Sequence, residues 1–195
     1  METLIKAIEI FAMVTGIAYV VLEIMQKNAM WVLGILTGTA CAFSFGVQHI
    51  WASMGLNIYY VGMSVVGFLQ WRKAEQEVGK GEIHLQQMSR KTLIWSLAGA
   101  MAGTIALAPL LGKTGDMAPW LDAEATLLSV VGTWWLAQSY VEEWLMWIAA
   151  DLLSTVLCLF TGQYWLAILY IVYVFSAIYG YFHWKNKGKL VNSGR

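Results

Sequence analysis

The chain of 195 residues is too apolar for an ordinary soluble domain: 59% of its residues are hydrophobic and 12% are charged, where soluble domains carry roughly 25% charged residues. Its formal net charge of zero gives no reason to expect a nucleic-acid partner. Eleven Trp and nine Tyr favour a membrane, because such rings are enriched where hydrocarbon meets water. The composition therefore predicts a protein whose main partner is the lipid bilayer.

Apolar runs long enough to cross a membrane follow one another along almost the whole chain. A helix needs roughly 20 such residues to span about 30 Å of hydrocarbon, and lipid offers the backbone no hydrogen-bond partners. The sequence predicts an all-α membrane protein with seven transmembrane helices, the first of them retained rather than cleaved as a signal. The predicted spans are 5–25, 29–47, 52–71, 92–111, 123–141, 144–160 and 164–184.

Basic residues are distributed unevenly among the predicted connections. Only Lys6 and Lys113 fall on the side of the N-terminus, and the other Lys and Arg residues fall opposite. Because cytoplasmic segments carry an excess of basic residues, we expect the N-terminus outside and the C-terminus in the cytoplasm, in a bacterial-type inner membrane. The connection 72–91, with its mixed charges, is interpreted as a solvated cytoplasmic loop.

Two parts of the chain are similar at an ungapped offset of 113 residues, which places Trp31 on Trp144 and Ile35 on Ile148. We interpret this as an internal duplication. It predicts a 3+1+3 parallel repeat, with the substrate site at the interface of the halves near mid-membrane. The same offset aligns Leu56, Ile58, Tyr60, Val61, Gly67 and Trp71 with Leu169, Ile171, Tyr173, Val174, Gly180 and Trp184. The predicted segments are a first three-helix bundle (1–73), a cytoplasmic loop with a linker helix (74–111), and a second bundle with a cytoplasmic tail (112–195).

The sixth predicted helix carries Trp144, Trp147, Asp151, Ser154 and Cys158 at spacings of three and four, so these residues share one face. A carboxylate at membrane depth costs roughly 2.5–3.5 kcal/mol and is expected to face the bundle or a wet cavity. Indole faces attract organic cations, so the pattern favours a cation-binding site. The alternative is that the tryptophans anchor the helix at the interface and that a hydroxyl neutralises Asp151.

The third and seventh helices carry related aromatic and polar stripes, from which Asn57, Tyr60 and Tyr170 are candidate substrate-binding residues. At the offset, Gly34 and Gly38 of helix two correspond to Trp147 and Asp151, so the copies have diverged at the candidate site. We expect helix two to pack tightly through its glycines. The pairs Gly67 with Trp71 and Gly180 with Trp184 are expected to be structural.

No pattern of catalytic or cofactor chemistry accompanies these residues. His49 and His183 are isolated from other ligands at metal spacing, and Cys41 and Cys158 lie in apolar runs as small hydrophobes. A phosphate-binding glycine loop and a Ser/His constellation are both missing from the sequence. We therefore predict that the chain is not an enzyme and uses no metal or cofactor.

The chain resembles the PnuC family of vitamin transporters over nearly its whole length. The strongest match is Trp144-x-x-Trp147-x-x-x-Asp151, which is similar to that family's WxxWxxx(N/D) signature. Residues 55–60 (GLNIYY) and the pair 169–170 (LY) support it. The resemblance implies a fold related to the sugar-transporting SWEET proteins, assembled as a homotrimer.

The resemblance also implies a function: facilitated diffusion of nicotinamide riboside, trapped afterwards by phosphorylation by a separate cytoplasmic kinase. Trp144, Trp147 and Asp151 would then contact the substrate. Thiamine is the second candidate, since it also bears a ring with a fixed positive charge, and riboflavin is associated with related members. An alternative of another class is a membrane scaffold subunit that transports nothing.

Overall fold

The chain is helical almost throughout in the computed structural model, which describes residues 14–47, 49 and 51–191. The described part contains seven helices, which confirms the predicted all-α class. In chain order they are α1 (Val14–Ile24), α2 (Ala29–Val47), α3 (Trp51–Val78), α4 (Arg90–Lys113), α5 (Pro119–Ala137), α6 (Glu143–Phe160) and α7 (Tyr164–Lys187). Two short strands, β1 (His84–Leu85) and β2 (Lys189–Leu190), form a two-stranded sheet.

Four helices, α2, α4, α6 and α7, are long and apolar enough to cross a membrane. A helix advances about 1.5 Å per residue, so the 24 residues of α4 extend over about 36 Å, more than the roughly 30 Å of a hydrocarbon core. The helix α1 is shorter in its described part. Residues 5–13 of the predicted first span lie outside the described residues.

α3 and α5 depart most from their predicted bounds. α3 continues to Val78 rather than ending at residue 71, because the polar segment 72–78 (RKAEQEV) is rich in good helix formers. α5 begins at Pro119 rather than at 123, since proline is pre-organised for a first helical turn. It ends at Ala137 rather than at 141, because Ser139 has a left-handed φ of 59° that a helix cannot contain.

Turns at positions related by the 113-residue offset have the same backbone conformation. Gln26 and Ser139 have φ values of 48° and 59°, and His49 and Gly162 have φ values of 59° and 75°. Positive φ is uncommon outside glycine, so the 113-residue offset relates backbone conformation as well as residue type. Helix ends follow the same offset: Ile24 with Ala137, Val47 with Phe160, and Trp51 with Tyr164.

The chain divides into two compact units, of which the first contains the described residues up to His84 and those from Lys187 onward. In this unit α2 packs on α3 through small residues. A Cβ atom added at Gly38 would lie 2.9 Å from Cγ2 of Val61, so this approach requires glycine. The division differs from the predicted segments in giving the C-terminal residues to the first unit.

The connection after α3 is partly buried, which corrects the interpretation of 72–91 as a solvated loop. Ile83 and His84 are only 6% and 3% exposed. The side chain of Gln26 holds the His84 backbone at both groups: its Nε2 donates to the carbonyl (2.9 Å) and its Oε1 accepts from the N–H (2.6 Å). The N–H of Lys189 donates to the Ile83 carbonyl (2.7 Å), and its Nζ lies 3.1 Å from Oε1 of Glu82. These contacts tie the connection and the C-terminal strand to the first unit.

The second unit comprises Leu85–Asn186. Within it α4 packs on α5 and α5 packs on α6. Oγ1 of Thr104 on α4 donates to Oε2 of Glu124 on α5 (2.7 Å), and Trp135, which is fully buried, packs in a core with Val131. α6 therefore packs against α5, which is itself part of a buried core.

We predict that Gln26→Ala lowers the thermal stability of the protein, because it removes both hydrogen bonds to the buried His84 backbone. Leaving buried polar groups without partners costs about 1–3 kcal/mol, which corresponds to a fall of about 2–10 °C in Tm. Thermal unfolding in detergent measures this. Gln163→Ala is the matched control, since Gln163 is exposed and its side-chain amide bonds to the nearby Thr161 side chain. An unchanged Tm in Gln26→Ala would contradict the role assigned to Gln26.

Burial lowers the pKa of His84 from 6.5 to about 4, although the charge of Glu75 and the nearby Glu82 backbone act in the opposite direction. Because the folded-state pKa lies below the unfolded value, the unfolded chain binds a proton first as the pH falls. The stability contribution of neutral His84 is thus present above pH 6.5 and is lost towards pH 4. We predict a smaller fall in Tm between pH 7 and 4 for His84→Phe, which keeps a ring against Trp71, than for the wild type. Equal falls in the two proteins would contradict this.

Candidate functional site

The polar face predicted for α6 is present in the second unit. α6 runs without interruption from Glu143 to Phe160, so residues spaced by three and four lie above one another on one side. Asp151 and Cys158 are buried on this side, at 8% and 6% exposure. The structure thus brings together the α6 residues that the sequence pattern grouped.

The carboxylate of Asp151 has no partner of its own. It makes no hydrogen bond or ion pair with any residue in the described part of the chain; only its backbone carbonyl is bonded, accepting from Oγ1 of Thr155 (2.7 Å). Tyr170 and Tyr173 of α7 lie within electrostatic range of it. A buried, unpaired carboxylate is costly. The arrangement therefore suits a ligand that brings a positive charge.

Tyr170 and Tyr173 are the residues of α7 near Asp151. Their rings lie 6.2 Å apart at an interplanar angle of 79°, and the Tyr170 hydroxyl lies close to the Ser154 side chain. Tyr173 was not among the sequence-based site candidates. Its position at the offset from Tyr60 was the signal that could have identified it.

Trp147 is half-buried and lies next to α5. A Cβ atom added at Gly132 would lie 3.6 Å from Cε2 of Trp147, so the small residue leaves room for the indole. The Trp147 Nε1 is buried and makes no hydrogen bond to the described residues. Trp147 thus has a partly accessible ring and an indole N–H that donates to no described residue.

Trp144 differs from Trp147 although both belong to the same motif. Its side chain is 1% exposed, and its ring packs edge-to-face on Trp184 with centroids 5.3 Å apart. A Cβ atom added at Gly180 would lie 2.5 Å from Cη2 of Trp144. Gly180 and Trp184 therefore have the structural role that the sequence predicted.

The remaining candidates, Asn57 and Tyr60, lie on α3 in the first unit. Nδ2 of Asn57 donates to the Ser53 carbonyl of its own helix (2.9 Å), and both residues are half-buried. The Tyr60 carbonyl accepts from Oγ of Ser64 (2.7 Å). That these side chains contribute to the same site as Asp151 stays a prediction.

The chain is similar to a family of known membrane transporters. Residues 6–186 match the family model of the nicotinamide mononucleotide transporters. The chain is 27% identical over 187 residues to the nicotinamide riboside transporter PnuC of Neisseria mucosa, covering 89% of this chain and 70% of that protein. It is 24% identical over 181 residues to PnuC of Haemophilus influenzae (92% and 79% covered). It is 22% identical over 173 residues to the riboflavin/roseoflavin transporter RibM of Streptomyces davaonensis (88% and 81% covered).

A solved structure agrees with the fold. The crystal structure of the vitamin B3 transporter PnuC superposes with a TM-score of 0.68 at 24% identity, covering 90% of this chain and 79% of that one. Together with the apolar helices, the family match identifies a multi-pass membrane protein, and it confirms the resemblance to PnuC and the prediction that the chain is not an enzyme. The chain belongs to the nicotinamide mononucleotide transporter family, which includes the PnuC transporters.

Proposed function

We propose that the chain carries nicotinamide riboside across the membrane by facilitated diffusion, and that a separate cytoplasmic kinase traps the riboside by phosphorylation. The observation that carries the choice of substrate is the carboxylate of Asp151, which is buried and makes no hydrogen bond or ion pair with the described residues. The names of the Neisseria and Haemophilus relatives support the same substrate.

The chemistry of the site matches a cationic aromatic ligand. The pyridinium ring of the riboside carries a fixed positive charge, which would neutralise Asp151 at the moment of binding. The indole of Trp147 offers a negative ring face, and such contacts contribute about 0.5–2 kcal/mol. The hydroxyls of Tyr170 and Ser154 are donors and acceptors suited to a ribose. Charge, stacking and hydrogen bonding would thus each engage a different part of the ligand.

Asn57 and Tyr60 of the first unit are proposed as further substrate contacts. At the 113-residue offset they correspond to Tyr170 and Tyr173, the two residues beside Asp151. Equivalent positions of duplicated halves commonly contribute to one site in transporters with internal repeats. This correspondence supports their assignment to the substrate pathway.

We also propose the finer architecture: a SWEET-related 3+1+3 parallel repeat, with the N-terminus outside and the C-terminus in the cytoplasm of a bacterial inner membrane. The matching turns and helix ends support the repeat, and the distribution of Lys and Arg supports the orientation. A homotrimer is proposed as the assembly. The apolar face of α4, with Ile94 64% and Met101 62% exposed, is available to lipid or to another protomer.

Thiamine is the second candidate substrate, since its thiazolium ring has the same fixed charge and would pair with Asp151 in the same way. Riboflavin, named in the Streptomyces relative, is neutral and would not compensate the carboxylate. The unpaired acid therefore favours the two cationic vitamins over the flavin.

We predict that the purified protein binds nicotinamide riboside more tightly than thiamine or riboflavin in calorimetric titrations. Liposomes that contain this chain alone should take up labelled riboside without an ion gradient or ATP. Absence of riboside binding at millimolar concentration would contradict the proposed substrate. Binding without uptake would favour the scaffold alternative.

Asp151→Ala should weaken riboside binding more than tenfold, about 1.4 kcal/mol, because the countercharge is lost. The Tm of the ligand-free variant should not fall, since the substitution removes a buried carboxylate that has no partner among the described residues. Glu124→Gln is the control: it lies in the same unit and its carboxylate is already bonded to Thr104, so binding should stay unchanged. Equal losses in both variants would mean that Asp151 is not the specific acid.

A further inference from the structure

Each unit contains the same aromatic brace, formed by a tryptophan of one helix that packs into a glycine notch of another. In the first unit Trp31 is fully buried against Gly67, where a Cβ atom would collide with the indole. Trp71 packs edge-to-face on the same indole, with centroids 5.0 Å apart and an interplanar angle of 75°. The Trp31 ring is therefore held by packing on two sides.

The second unit repeats this brace with Trp144, Gly180 and Trp184. The ring centroids of the two tryptophans lie 5.3 Å apart at 88°, and each of these three residues is offset by 113 from its counterpart in the first unit. In both braces the Nε1 of the central indole makes no hydrogen bond to the described residues. Shape alone therefore positions Trp144, as it does Trp31.

The two units differ one and two turns further along. Cβ atoms added at Gly34 and Gly38 of α2 would lie 2.7 Å from Oγ of Ser64 and 2.9 Å from Cγ2 of Val61, so α3 closes directly on these glycines. The corresponding residues of α6 are Trp147 and Asp151. A large side chain and a charged side chain therefore occupy the positions at which α2 makes its tight contact with α3.

We infer that Trp144 is a positioning residue that fixes α6 against α7, and that among the motif residues Trp147 and Asp151 alone meet the substrate. The inference rests on the proposed riboside transport. Trp31 makes the same contacts in a unit that has glycines at the positions of Trp147 and Asp151, so these contacts serve helix packing. The Trp144 ring is 1% exposed and offers no face to a ligand. Trp144 acts through its contacts with Gly180 and Trp184, which fix the position of α7 along α6 and so the position of Tyr170 beside Asp151.

The test compares Gly180→Ala with Gln26→Ala by riboside titration and thermal unfolding. Both should lower Tm by about 2–10 °C, the first because a methyl group overpacks a filled notch and the second because buried backbone groups of His84 lose their partners. Only Gly180→Ala should weaken riboside binding, by about tenfold, since it displaces the helix that carries Tyr170, whereas Gln26 is not among the proposed substrate contacts. A loss of general stability would weaken binding equally in both, so this difference isolates positioning.

A second substitution that restores riboside binding distinguishes a positioning role of Trp144 from direct contact with the substrate. Adding Trp144→Phe to Gly180→Ala should restore binding to within about threefold of the wild type, because the smaller ring vacates the space that the new methyl group needs. Trp147→Phe should weaken binding more than tenfold with little change in Tm. If Trp144→Phe weakens binding as much as Trp147→Phe, or if the double variant binds more weakly than Gly180→Ala, Trp144 contacts the substrate and the inference is wrong.

The wild-type titration keeps this test separate from the proposed function. Riboside binding by the wild type, combined with a failed rescue, contradicts only the inference about Trp144. Absence of riboside binding by the wild type contradicts the proposed substrate, and the same variants are then titrated with thiamine, the other cation that Asp151 suits. Failure of the rescue with thiamine would overturn the positioning role in the same way.

Discussion

A carboxylate buried in an apolar helix is the constraint on which the rest of the site depends. Hydrocarbon cannot solvate Asp151, so α6 has to turn that face towards protein, and the neighbouring α7 meets it with tyrosines instead of aliphatic residues. No described residue completes the pairing. In the proposed function a ligand supplies the missing positive charge, so this one acid would select for cationic substrates.

The proposed duplication accounts for a costly site in one unit without loss of the fold. The two units keep their turns, their helix ends and the tryptophan brace, which together determine how three helices pack. The residues one and two turns from the brace do not take part in this shared packing. In α2 they are Gly34 and Gly38, which close the helix contact, and in α6 they are Trp147 and Asp151. The proposed substrate contacts Trp147 and Asp151 are therefore adjacent to the residues that pack the helices rather than among them.

The turns show that geometry was preserved more strictly than residue type. Gln26, His49, Ser139 and Gly162 all have positive φ, although only glycine reaches that region without a cost of roughly 1–2 kcal/mol. Short connections between antiparallel helices leave few backbone paths, so each copy accepts local strain to keep the helices in register. Gln26 gains a second use, because its side chain bonds the His84 backbone.

The sequence by itself determined the all-α class, the seven helices and the residues that share a face of α6, because apolar length and helical spacing are local properties of the chain. It also indicated the 113-residue offset that the turns and helix ends share. The tertiary structure decided that Trp144 is closed while Trp147 stays partly open, that Tyr173 joins Asp151, and that His84 is buried in a connection whose charges suggested solvent. It also set the extension of α3 and the bounds of α5. These features depend on contacts between residues far apart in the chain, such as Trp144 with Gly180, which no local pattern of hydrophobicity records.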